Sequence, residues 1–226
     1  MIEKSTLLNL PKIPQFIGHK IITDEPQKKI SAVLYEYLMA GNGVFVRAER
    51  DEFKVSLPVS SLKIKGLPGE TYGICWKKPQ IPKTLWKEIL ENARDGSDSN
   101  DFKEDVFVIY WSGEENLWKW RRVGRERTGV ATIADDTLEE YKLACIELHT
   151  HPAGAIHFSR ADDLDESGKF RIFAILIDIH SKTPKIRFRC GVYEHFVQIP
   201  SEFIGGIPDG IIDLNKADII VSKILK

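Results

Sequence analysis

Residues 145 to 163 read CIELHTHPAGAIHFSRADD, with His149 and His151 one residue apart at the end of an apolar run, then seven residues, Ser159, two more and Asp162. Imidazole nitrogens and a carboxylate are donors that zinc and related divalent metals accept. In an extended strand alternate side chains share a face, so two histidines at this spacing lie roughly 6 to 7 Å apart at the backbone and their rings can converge on one ion. An H-x-H pair alone is weak, because two rings hydrogen-bonded at a sheet edge satisfy it equally. The hydroxyl and carboxylate at fixed spacing sharpen it: the whole pattern should arise by chance in a chain this long on the order of once in ten thousand. Two histidines and one aspartate leave a tetrahedral zinc with one open position, as in catalytic rather than structural sites. Water in that position has a strongly lowered pKa and needs a proton acceptor close by.

Two carboxylates are placed to be that acceptor. Glu104 opens the strand-like segment DVFVIYW, and Glu147 should share a strand face with Cys145, His149 and His151. Spacing alone does not choose between them. Ser159-Arg-Ala-Asp162 is also a helix-capping pattern, which predicts a short helix towards Gly168 with Asp162 in its first turn, where the helix dipole favours a carboxylate. Asp163, Asp165 and Glu166 lack the spacing and glycine of an EF-hand loop and read as solvated helix surface. His157 reads as a partly exposed loop histidine.

The elements that must carry these residues fall into two regions. Residues 1–78 read as a small, β-rich α+β unit: an amphipathic helix in PQKKISAVLYEYLMAGNG ended by Gly41 and Gly43, then a hairpin in GVFVRAERDEFKVSLPV. The segment KKPQIPKT, residues 77–84, is the expected boundary. A second unit, 79–226, should begin with a helix after Pro82 that buries Leu85, Ile89, Leu90 and Ala93 and stops near Gly96. Strands are expected in DVFVIYW and LWKWRRV, joined at SGEEN, and then in LACIELHTH, RIFAILIDI and KIRFRCGVYEHF. The fold class is α/β in the broad α+β sense, a mixed sheet flanked by helices.

Composition narrows the function classes. Lys and Arg number 32 against 33 Asp and Glu, so no broad positive field exists to condense on nucleic acid or an anionic membrane. Tyr110, Trp111, Trp118 and Trp120 are therefore read as strand packing rather than base-stacking residues, and Arg121, Arg122, Arg125 and Arg127 as a solvated basic loop. Three widely spaced cysteines, Cys75, Cys145 and Cys190, fit buried free thiols in a reducing compartment, and the chain opens without a secretory pattern. A cytoplasmic protein is the expectation.

His149-Thr-His151, seven residues, Ser159, two residues and Asp162 resemble the signature of the JAMM (MPN-type) zinc metallopeptidases, many of which remove ubiquitin or ubiquitin-like proteins. The resemblance covers roughly residues 82–198. It implies a Zn2+ cofactor on His149, His151 and Asp162, Glu104 as the general base that follows the first helix, and Ser159 as the stabiliser of the oxyanion. Glu147 then becomes either a supporting residue, with orienting an imidazole as one role open to it, or simply a residue of the strand face. Segments flanking the signature, AGNGVFVRAERDEFKVSLPVSSLKIKGLPG and RFRCGVYEHF among them, look like those of a bacterial branch of the family. That branch implies as partners a ubiquitin-like protein or its conjugates and an adenylating, ubiquitin-activating-type enzyme. Threonine stands here where the family more commonly has serine between the histidines. Two other classes share parts of the pattern: metal-free MPN-type assembly modules, and iron(II) oxygenases that use two histidines and a carboxylate. The filled set of five site positions argues against the first. H-x-H with helices between the strands, in place of a carboxylate close to the first histidine on a β-barrel strand, argues against the second.

Overall fold

Two β-sheets dominate the protein, a mixed α/β molecule that is largely β. The structure, a computed structural model, describes residues 15–23, 29–97, 101–127 and 132–216. The first sheet has the order β1 (Ile17–Ile21), β2 (Tyr35–Ala40), β3 (Gly43–Glu49), β4 (Phe53–Ser61) and β5 (Gly73–Trp76), with β1 parallel to β2 and the other pairs antiparallel. The expected hairpin is β3–β4, and it buries Val46 and Ala48 against Phe53, Val55 and Leu57.

The helix expected just before it does not form. Residues 29–34 are irregular, Tyr35–Ala40 is β2, and residues 24–28 lie outside the described residues. The segment YEYLMA alternates as readily as it turns, and its buried face includes Glu36 at 0% exposure. Lys20 on β1 and Arg47 on β3 hold that carboxylate from either side at 2.8 and 3.2 Å, which offsets the cost of burying it in a way only a sheet can supply. Gly43, expected to help end a helix, instead enters β3 at φ +147°, where an added Cβ would meet the Ser60 carbonyl oxygen.

The second sheet carries the histidines. It combines β6 (Val106–Ser112), β7 (Leu117–Arg122), β10 (Ile146–His151), β11 (Phe170–Ile177), β12 (Lys185–Val192) and β13 (His195–Gln198) in the order β13-β12-β11-β10-β6-β7, with β14 (Ile212–Asp213) paired to β12. A two-stranded ribbon, β8 (Gly124–Arg127) and β9 (Thr132–Ala134), stands beside it. Helix α1 (Lys83–Asp95) follows Pro82 and stops at Gly96 as expected, burying Leu85, Ile89, Leu90 and Ala93 together with Trp86, whose ring meets Phe188 edge-on. Burying each of the leucine and isoleucine side chains contributes about 1.5–3 kcal/mol. The short α2 (Glu139–Lys142) precedes β10, and α3 (Arg160–Glu166) follows it.

Strands β10 and β11 run parallel, with Ile146 opposite Ile172 and His151 opposite Ile177. Parallel neighbours need a crossover, and α3 lies within it. The sheet thus delivers His149 and His151 to the carboxyl end of β10 just where the chain must leave and turn into a helix.

One apolar cluster unites the described sheets, joining Val46, Phe53 and Leu57 to Ile146, Ile172 and Phe188. Trp111, Trp118 and Trp76 stack edge-on within it, as expected of packing residues. The basic run is not a loop: Arg121 and Arg122 lie on β7 and Arg125 on β8, ion-paired to Glu140, Asp105 and Asp135. All three cysteines are free; Cys145 and Cys190 are buried, whereas Cys75 is exposed. No helix among the described residues is long and apolar enough to cross a membrane.

Candidate metal centre

His149 and His151 project from β10 into a cleft of about 300 Å³. Their Nε2 atoms are 2.8 Å apart, and the Asp162 carboxylate closes the group, with Oδ1 3.3 Å from His149 Nε2 and Oδ2 3.6 Å from His151 Nε2. The tautomer of His151 is fixed by its other nitrogen: Nδ1 lies 2.9 Å from the Ala155 carbonyl, an acceptor only, so Nδ1 carries the proton and the Nε2 lone pair faces the cleft. A tetrahedral ion with bonds of roughly 2.0–2.2 Å has ligand-to-ligand edges of about 3.3–3.6 Å. Both histidine–aspartate distances lie on that scale, and a small ring rotation opens the shorter histidine pair. The donor set therefore fits a divalent metal that takes nitrogen and oxygen ligands.

Asp162 is placed by the start of α3. Ser159 is the N-cap: its Oγ accepts from the Asp162 N–H at 3.2 Å, while the Asp162 carboxylate accepts from the Ser159 N–H at 2.5 Å. This is the capping arrangement read from the sequence, closed from both sides. Burial alone would push the Asp162 carboxyl up, but hydrogen bonds from the two histidines and the Ser159 amide hold it far below the ordinary carboxylate range. For His151 burial works downwards and is outweighed by Asp162, the Ala155 carbonyl and the Glu104 charge, so its value is raised.

Glu104 lines the same cleft. In the antiparallel register of β6 and β10, Val106 is opposite His149, and continuing it by two residues sets Glu104 opposite His151. Thr150 locks this edge: its amide donates to the Asp105 carbonyl and its hydroxyl accepts from the Asp105 amide, each at 2.9 Å. That gives the residue between the histidines a task that serine could also perform. Glu104 is 8% exposed; burial raises its carboxyl above the ordinary value, against the pull of His149 and His151.

Glu147 shares the cleft face with both histidines, as the alternation predicts. Its carboxylate is not directed at an imidazole. Arg171 Nη1 lies 2.6 Å away, Lys169 Nζ 3.3 Å, and the Tyr141 hydroxyl donates at 3.1 Å. Those three donors occupy its oxygens. Cys145, expected on that face, precedes β10 and packs instead in the main core beside Ile146 and Ile172. The acidic surface expected on α3 also needs correction: Glu166 is buried and Asp163 is engaged, both on Arg189. His157 lines the cleft wall and is exposed, as expected of a loop histidine. Sequence reasoning missed Arg187, Arg189, Lys169 and Arg171. Two arginines at alternate positions in the apolar stretch KIRFRC were the available signal.

No protein-family model matches the chain, and no curated protein matches it.

Proposed function

We propose that the protein is a zinc-dependent metallopeptidase of the JAMM type, hydrolysing a peptide or isopeptide bond at the C-terminal tail of a ubiquitin-like protein. One observation carries the proposal. His149, His151 and Asp162 converge within 4.8 Å of one another, and a buried, otherwise costly carboxylate, Glu104, lines the same cleft. The mixed sheet, with a helix preceding β6 and a helix in the crossover after β10, supports the reading.

His149 Nε2, His151 Nε2 and an oxygen of Asp162 would hold the ion, which when bound supplies Lewis acidity to the scissile carbonyl and acidity to the attacking water. Glu104 takes the proton from that water and returns it to the leaving nitrogen; its raised pKa suits a group that must both accept and release a proton near neutrality. Ser159 Oγ already accepts from the Asp162 amide, so its own hydrogen is free to donate to the oxyanion as charge develops. Arg171 and Lys169 hold Glu147 out of the proton relay.

Metal content and cleavage test the reading together. Purified protein should bind zinc, and His149→Ala and Asp162→Ala should bind less; normal zinc in both variants would sink the ligand assignment. Zinc-loaded protein should cleave ubiquitin-like proteins extended at the C-terminus, whereas Glu104→Gln should keep its zinc and lose turnover. Zinc binding with partner capture but no cleavage would identify an assembly module instead. Anaerobic iron binding with 2-oxoglutarate consumption would identify an oxygenase.

A further inference from the structure

Arg187 and Arg189 occupy alternate positions on β12 and so face the same side of the sheet. They are 2% and 6% exposed, and a buried guanidinium is costly unless its donors are matched. Four of the six partners named below, Ile156, Phe158, Asp163 and Glu166, come from one stretch of chain, the crossover that leaves β10 and becomes α3, and the other two, Phe196 and Gln198, from β13. Arg187 Nε donates to the Ile156 carbonyl at 2.9 Å, and its Nη1 to Gln198 Oε1 at 3.0 Å. Arg189 Nε donates to Glu166 Oε2 at 2.7 Å and its Nη1 to Asp163 Oδ1 at 2.5 Å. The Arg189 guanidinium also lies between two rings, 3.9 Å from the centroid of Phe158 and 4.2 Å from that of Phe196.

Those contacts bracket the metal centre. Ile156 follows Ala155, whose carbonyl fixes the His151 tautomer; Phe158 precedes the Ser159 cap; Asp163 and Glu166 follow Asp162 by one and four residues. We propose that Arg187 and Arg189 are positioning residues, a clamp that sets where Asp162 and the Ala155 carbonyl stand and thereby tunes the affinity and geometry of the metal centre. The inference rests on reading His149, His151 and Asp162 as metal ligands. Neither arginine is among the residues that line the cleft. Their planar forks fix two bonds at a time, and Arg189 adds two stacked rings, a geometry an ammonium does not reproduce.

The test is a titration of the metal-free, full-length protein with cobalt(II), with zinc read by competition. Arg189→Met should weaken both affinities by roughly 10- to 100-fold, the range typical of lost outer-sphere support, and should shift the cobalt d–d bands. Arg189→Lys should behave like Arg189→Met rather than like the parent. If Arg189→Met does not fold, Phe158→Leu, on a partly exposed loop, removes one stacked ring and should move affinity and bands the same way by a smaller amount. Glu36→Gln, buried in the first sheet between Lys20 and Arg47, is the control for mere destabilisation and should leave the cobalt spectrum unchanged. Folded variants with the parent's affinity and spectrum would overturn the clamp while leaving the ligand assignment intact, as would a control that shifts the bands equally. A parent protein that binds neither ion would overturn the ligand assignment itself.

Discussion

Burial raises the Glu104 carboxyl, and the sign of that shift bears on stability as well as chemistry. A carboxyl whose folded value lies above its unfolded one stabilises the fold below the unfolded value and loses that contribution as pH rises through the folded value. As pH rises towards neutrality, ionising this mostly buried carboxyl therefore costs the metal-free protein stability. Glu104→Gln removes it: the metal-free variant should melt higher than the parent at pH 7, and the gain should shrink towards pH 4. Thermal melts at the two pH values check this, and an equal or lower melting point at pH 7 would count against it. The three donors were legible in the sequence because their separation is short and local. What sets Glu147 apart from Glu104 was not legible from spacing, since Glu147 is engaged by Arg171 and Lys169, residues that reach it only through the neighbouring strand β11 and the turn before it.

At the level of elements, α3 is short, and its first turn rests on a reciprocal cap rather than on intrinsic helicity, which is marginal at this length. Ser159→Ala should therefore cost about 1 kcal/mol of stability, measurable by urea unfolding, in addition to any loss of turnover. Ser159→Asn, which keeps an acceptor at the cap, should recover most of that stability. Helix α1 was readable because its apolar positions and its Pro82 and Gly96 punctuation agree. Strand β2 was not, because YEYLMA satisfies both periods and the deciding contact, Glu36 between Lys20 and Arg47, joins three strands. The acidic face of α3 was misread for a related reason. Its counter-charge, Arg189, lies on β12, on the far side of β11 in the chain.

Across the whole molecule, the first sheet is tied to the strand that carries the histidines. Arg50 donates to the carbonyls of Ala144 at 2.8 Å and Phe170 at 3.1 Å, at the entrances to β10 and β11, and Phe53 packs against Phe170. A chain beginning at residue 79 would leave that apolar surface open to water. It should lose cooperative unfolding, and a soluble fragment with a sharp melt would show the two units to be separable. The sheets meet again where the Tyr37 hydroxyl lies 2.8 Å from His195 Nε2. Burial lowers the His195 value, against the pull of Glu194. Its contribution is therefore full above the unfolded histidine value of about 6.5 and falls as pH drops below it towards the folded value. Stability should decline on that acid limb, and His195→Asn should flatten the slope; an unchanged slope would remove His195 from the account.

The loop from Pro152 to Phe158 behaves like a fitted part whose size matters more than its lettering. Its middle is tied back to the ring of His151 through Ala155 and to Arg187 through Ile156, its end is pressed on Arg189, and its exit is the cap that turns the chain into α3. A longer or shorter span could satisfy any one of these attachments but not all of them together. The seven-residue gap is thus a ruler for the site: a surface position such as Ala153 is free to drift in identity, Gly154 is held to glycine by its φ of +85°, and insertions and deletions are barred.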